Sequence, residues 1–235
     1  MGYTKSEIIE AKIIEWLKKG GASIEWNSAT ARDVMKVAEK LAEKYGKLIT
    51  ETFSLESILD DLPELKAVLQ SLRHHAADTT RALVEIQNER NGINIAAQTA
   101  SDSSESIDNL ISRIQDGTIL NDGAISDKDK FLLGDNVLKH IADEGVADTL
   151  HDNADLASDA GIKTTYIRHL GADGCCQWCQ GMAGKYTADN VPKDFWRMHN
   201  ACDCWIEYKT DKVRQKISYT AKNDKGKRSK ITTDM

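Results

Sequence analysis

All five cysteines of this 235-residue chain fall between Cys175 and Cys204, and His199 sits among them. The segment reads Cys175-Cys176-Gln177-Trp178-Cys179 and, after Met198, His199-Asn200-Ala201-Cys202-Asp203-Cys204. Thiolates and a neutral imidazole are zinc ligands, taken about four at a time in a tetrahedron. A Cys-x-x-Cys turn aims two sulfurs at one point, so Cys176 and Cys179 form the first pair. The second pair comes from His199, Cys202 and Cys204. In one arrangement His199 and Cys202 ligate while Cys204 packs. In the other, Cys202 and Cys204 reach one ion together, because alternate residues of a strand face the same side. The reading favours Cys176, Cys179, His199 and Cys202, keeps Cys204 as the alternative fourth ligand, and leaves Cys175 surplus. Four protein ligands close such a site, which makes the zinc structural rather than catalytic. A disulfide is the competing reading, but a cytosolic chain keeps its thiols reduced. Trp178, Phe195, Trp196 and Trp205 crowd the same segment and supply the small apolar core that a metal-stapled module needs.

Catalytic readings of the same residues fail on their spacing. A zinc deaminase carries His-x-Glu ahead of Pro-Cys-x-x-Cys, and the chain has neither. Ligand spacing explains the cysteines better than a Cys–His nucleophile pair does. His199-Asn200 lacks the second histidine of a His-Asn-His nuclease. His74-His75 lies on a partly exposed helix face, and His140, His151 and His169 have no partner at ligand spacing. Gly181-Met182-Ala183-Gly184 lacks the strand and helix that flank a phosphate loop. The chain therefore reads as a non-enzyme.

The elements that must position the cluster follow from periodicity and punctuation. With only Pro63 and Pro192 in the chain, long helices are permitted. The pattern predicts a helix over 7–19, capped by Ser6 and ended by Gly20-Gly21, with Ile9, Ile13 and Trp16 at helical spacing. A second spans about 30–51 on the stripe Val34, Ala38, Leu41, Tyr45 and Leu48. A short helical turn follows Ser54. Pro63 opens a third helix that continues to about 89. Residues 91–126 read as a connector and hinge containing one helix around Leu110, Ile111 and Ile114. Another helix runs over about 128–160, with a break near Gly145 and an end at Gly161. β-Branched and aromatic residues then predict strands at 162–167 and 205–208, and a hairpin joins 216–220 to 229–233. The expected fold is α+β: a helical region at 1–127, a small zinc-stapled α+β module with short strands at 128–208, and a basic tail at 209–235.

Charge is divided unevenly. The net charge is −6, yet the residues after Tyr208 carry nine Lys and Arg against Asp211, Asp224 and Asp234, a net +6 that leaves −12 on the rest. Such a tail suits an anionic partner or is simply a solvated terminus. No apolar run approaches the roughly 20 residues that cross a bilayer. The N-terminus lacks the apolar centre of a secretion signal, so residence in a cytosol and no membrane partner are the expectation.

The wording around the cluster carries a resemblance. It comprises the run from Asn153 through Ile162, Ile167-Arg168, Cys175-Cys176-Gln177-Trp178-Cys179, Ala183-Gly184-Lys185-Tyr186, Val191-Pro192, and His199 through Cys204 with Ile206-Glu207-Tyr208. Together these resemble the C-terminal domain of tailed-phage minor head proteins, the Mu F-like head-morphogenesis family. The Cys-Cys-x-Trp-Cys version is similar to minor capsid proteins of phages and prophages of Gram-positive bacteria. The resemblance covers about residues 150–208. It implies a structural virion component, present in few copies at the capsid interior or portal vertex after assembly in the host cytoplasm. The implied partners are the portal and the major capsid protein. By resemblance, Cys176, Cys179, His199, Cys202 and Cys204 match the family's cysteine–histidine pattern. Relatives commonly have Arg between the last two cysteines, where this chain has Asp203. The alternative function is a DNA-contacting accessory of packaging or ejection that uses the basic residues from Lys209 to Lys230 on phosphates. A phage-encoded nuclease or toxin is the weaker third reading.

Overall fold

The computed structural model describes residues 2–118, 133–171, 176–198, 203–211, 216–222 and 228–234. Helix α1 (Lys5–Lys18) begins one residue before the expected Ser6 cap. Thr4 caps it instead, because Thr4 and Glu7 form a capping box: Glu7 N–H donates to Thr4 Oγ1 at 3.2 Å and Thr4 N–H to the Glu7 carboxylate at 2.8 Å. Helix α2 (Ala31–Thr52) follows its predicted stripe, with Val34, Ala38, Leu41, Tyr45 and Leu48 all buried. The helical turn expected after Ser54 is a run of hydrogen-bonded turns up to Asp61, where Asp61 N–H reaches Ser57 O at 3.0 Å. Helix α3 (Leu62–Asn91) has Pro63 in its first turn and ends at Gly92, whose φ of 68° is the left-handed conformation glycine adopts freely.

The connector's polar sequence suggests a hinge, but its stretch from Ile95 to Ser101 is held to the helices. Two buried side chains of helix α5 (Asp135–Asp159) pin it. Asn153 accepts from Gln98 N–H at 2.8 Å and donates to Gln98 O at 2.7 Å, while Thr149 Oγ1 accepts from Ala100 N–H at 3.2 Å. Asn88 Nδ2 holds Ile95 O and Arg73 Nε holds Ser101 O. Helix α4 (Glu105–Gln115), capped by Ser104, buries Ile107, Leu110 and Ile114. The expected start of the next helix at 128 lies outside the described residues.

Helix α5 corrects a second expectation, since it runs through Gly145 unbroken. This glycine is there for contact rather than as a breaker: a Cβ would stand 2.7 Å from the backbone oxygen of Arg73 on α3. Helix α5 packs against both α2 and α3. It ends as predicted, with Gly161 at φ 76° and Ile162 N–H returning to Ala157 O at 3.0 Å.

Strand β1 (Thr164–His169) is the centre of an antiparallel three-stranded sheet, with β2 (Gly184–Thr187) on one side and β3 (Trp205–Thr210) on the other. Arg168 faces Gly184 on β2 and Ile206 on β3 across the ladder. Strand β2 and the short helix α6 (Gln177–Met182) were not legible in the sequence pattern. Of the expected aromatic set, Phe195 and Trp196 are buried in a core continuous with the helices, Trp205 packs half-buried against it, and Trp178 packs on Cys179 and Cys204 instead. Tyr166, Phe195, Trp196, Ile206 and Tyr208 share a buried cluster with residues of α1, α2, α3 and α5. The tail pairs as the expected hairpin, β4 (Lys216–Lys222) with β5 (Arg228–Asp234). The fold is α+β and mostly helical. No helix among the described residues is long and apolar enough to cross a membrane.

Candidate metal centre

The centre is built where β1, α6 and the start of β3 converge. Cys176 is the N-cap of α6, and its Sγ accepts the Cys179 N–H at 3.5 Å, so the Cys-x-x-Cys turn is the first turn of a helix. Cys179 is fully buried and packs with Cys204, which immediately precedes β3 and is 1% exposed. Trp178 covers the pair. Of the five predicted ligands, then, Cys179 and Cys204 come together, and Cys176 is tied to Cys179 through the backbone. His199 and Cys202, with the surplus Cys175, lie outside the described residues. Among the described residues no three His, Cys, Asp or Glu side chains converge on a point that could hold a metal ion. The donor type fits zinc, which takes cysteine sulfur as a ligand, and Cys176, Cys179 and Cys204 are not in disulfides.

That positive charge belongs to Arg168, which ligand spacing does not reveal. The residue is 2% exposed. Its Nη2 lies 3.9 Å from Cys179 Sγ, its Nη1 donates to Phe195 O, and the guanidinium stacks 4.9 Å from the Trp178 ring. A signal for it does exist in the chain: Thr164, Tyr166 and Arg168 alternate along one strand, and all three are buried. An arginine in the inward row of a central strand requires a partner.

Aromatic contacts frame the module. Phe195 meets Tyr166, Tyr186 and Trp196 edge-on at 6.2, 5.5 and 5.0 Å between ring centroids. The histidines expected to lack ligand partners have carboxylate partners instead. His140 pairs with Glu144 at 3.1 Å, His151 with Asp155 at 3.3 Å and His169 with Glu207 at 3.0 Å. His74 meets Asp102 on an exposed face as expected, but His75 is half-buried against Glu10 at 2.9 Å. That contact, with hydrogen bonds from Ser71 and Tyr45, holds the Glu10 carboxyl below its usual range.

An acidic cluster joins the module to the helices beside Cys204. Lys139 Nζ stands 2.8 Å from Asp143, 3.3 Å from Glu39 and 3.9 Å from Asp203. Burial pushes the Asp143 carboxyl up to about 6, against the pull of Lys139. Burial lowers the Lys139 ammonium, but Asp143 and Glu39 outweigh it and leave it raised. A cation at the position of Asp203 would face Lys139. Gly171 makes the approach possible, because a Cβ would lie 2.7 Å from Asp203 Cβ. A cavity of about 380 Å³ opens between these residues, lined by Arg32, Lys139, Gly171, Asp203 and Trp205.

Comparison with known proteins returns no match: no family model, no curated protein and no solved structure is similar to the chain.

Proposed function

We propose that this chain is a structural minor head protein of a tailed phage or prophage, non-enzymatic, acting in head morphogenesis beside the portal, with one zinc stapling its C-terminal module. The reading rests on the resemblance of residues 150–208. One observation carries it: several described residues that bear the resemblance also build the module. Asn153 clips the connector, Gly161 ends α5, Arg168 and Cys179 meet, Tyr186 packs on Phe195, and Ile206 and Tyr208 enter the core. Such agreement between motif and architecture supports a domain-level likeness over a scatter of chance identities. In phage-producing cells the tagged chain is expected to co-purify with portal or procapsid. Normal, infectious particles from a gene deletion would overturn the proposal.

The tail gives a second reading its own observation. Its register sets Lys222 directly opposite Arg228 and Thr220 opposite Lys230. The residues after Tyr208 carry a net +6, and a basic segment of that kind suits the phosphates of DNA. A full-length triple variant, Lys222→Gln, Arg228→Gln and Lys230→Gln, is then expected to bind duplex DNA more weakly. Its log K against log salt should flatten by about 0.9 for each phosphate that is no longer neutralised. Unchanged affinity and slope would remove the DNA reading.

A further inference from the structure

Among the described residues, two arginines are buried to 2% exposure, Arg73 and Arg168. Arginine stays protonated in a protein, so each brings a full charge into the interior, and each needs an anion. Arg73 has two carboxylates, Asp148 and Glu144. Arg168 has none among the described residues. Its Nη1 donates to a neutral carbonyl, Phe195 O, its face lies on Trp178, and its Nε has no hydrogen-bond partner among them. What remains among the described residues is sulfur: Nη2 sits 3.9 Å from Cys179 Sγ, and Cys204 packs against Cys179. A pair of neutral thiols would leave the guanidinium uncompensated. A zinc ion held by three thiolates and an imidazole carries one net negative charge, and by four thiolates two. Either centre supplies the missing anion.

We propose that Arg168 is the counter-ion and positioning residue of an anionic metal–thiolate centre that includes Cys179, an inference that rests on the zinc reading above. The residue is suited to hold a ligand in place. It sits on the central strand, with its backbone fixed on both sides by Gly184 and Ile206. An N–H directed at a ligating sulfur fixes its orientation and offsets its charge, as outer partners of metal ligands do.

The test compares the full-length reduced protein with Arg168→Gln, which removes the charge, and Arg168→Lys, which keeps it. Each is loaded with zinc for affinity, by competition with a chromophoric chelator, and with cobalt(II) for its spectrum. All three are expected to take up one metal ion with the intense absorption of tetrahedral cobalt–thiolate coordination. Zinc affinity should fall about tenfold in Arg168→Gln and return to within about threefold of wild type in Arg168→Lys. If Arg168→Gln is unfolded without metal, titrating zinc while following circular dichroism reads the same affinity through folding. Equal affinities in wild type and Arg168→Gln would overturn the role of Arg168 while leaving the zinc reading intact, and so would an Arg168→Lys no tighter than Arg168→Gln. A wild-type protein that binds no metal would overturn both.

Discussion

Chelation of the reduced, purified protein is expected to lower its thermal midpoint by about 10 °C or more, a loss of roughly 3–5 kcal/mol for a chain of this size. Elemental analysis before chelation should find about one zinc per chain. The size of the effect follows from what the centre does. Cys179 and Cys204 are buried at the junction of α6, β1 and β3, far apart in sequence, beside the buried charge of Arg168. On the proposed zinc reading, removing the ion would leave that charge uncompensated and free the segment carrying Cys176 from the sheet. The damage should be local. Tyr166, Phe195 and Trp196 are packed into the same buried cluster as the helices, so far-UV ellipticity should change little. Fluorescence from Trp178, which packs on the cysteines, should report the loss. Alanine in place of Cys179 should reproduce it without chelator. A metal-free reduced protein with an unchanged melting curve would remove zinc from the account.

What the sequence disclosed depended on whether the deciding contact was local. The stripe of α2 is local, because periodicity alone says which face is buried, and Val34, Ala38, Leu41, Tyr45 and Leu48 are all inside. The end of α5 at Gly161 is local too. The pinned connector was illegible because Ser101-Asp102-Ser103-Ser104 looks like solvated chain until α5 supplies Asn153 and Thr149 to hold the backbone just before it. Strand β2 stayed hidden because Gly184-Lys185-Tyr186-Thr187 is short, and it forms by pairing with an edge of β1. At the candidate centre, residue types pointed to the cysteines, two of which the fold joins. Arg168 stayed hidden because ligand spacing says nothing about the charge that a ligand set carries. The capping box at Thr4 and Glu7, by contrast, is present in the sequence and outranks the Ser6 cap read there.

Gly145 is where a one-dimensional reading and the packing give opposite signs, and substitution decides between them. If the glycine were only a weak point in α5, Gly145→Ala would stabilise the helix by about 1 kcal/mol, the propensity difference between the two residues. The structure predicts loss instead. The added Cβ would stand 2.7 Å from Arg73 O and 3.2 Å from Arg73 Cγ, inside van der Waals contact with the backbone of α3. Arg73 cannot step aside cheaply: it is buried, its Nε donates to Ser101 O at 2.8 Å, and its Nη2 is paired with Asp148 on α5 itself. Separating the helices enough to admit a methyl group would strain those bonds, and overpacking of this kind costs about 1–3 kcal/mol. Gly145→Ala is therefore expected to be less stable than wild type by about 1–2 kcal/mol after its propensity gain. Gly145→Val, with two further carbons in the contact and poorer helix propensity, should lose at least about 3 kcal/mol. Gly46 on α2 is the internal control. Its added Cβ would meet only the tip of the Leu138 side chain at 3.0 Å and no backbone, so Gly46→Ala should lose less stability than Gly145→Ala. Urea unfolding of the three variants reads these differences directly. A Gly145→Ala protein as stable as Gly46→Ala would mean that α3 and α5 do not approach as closely as the fold requires, and that Gly145 is the break its sequence suggests.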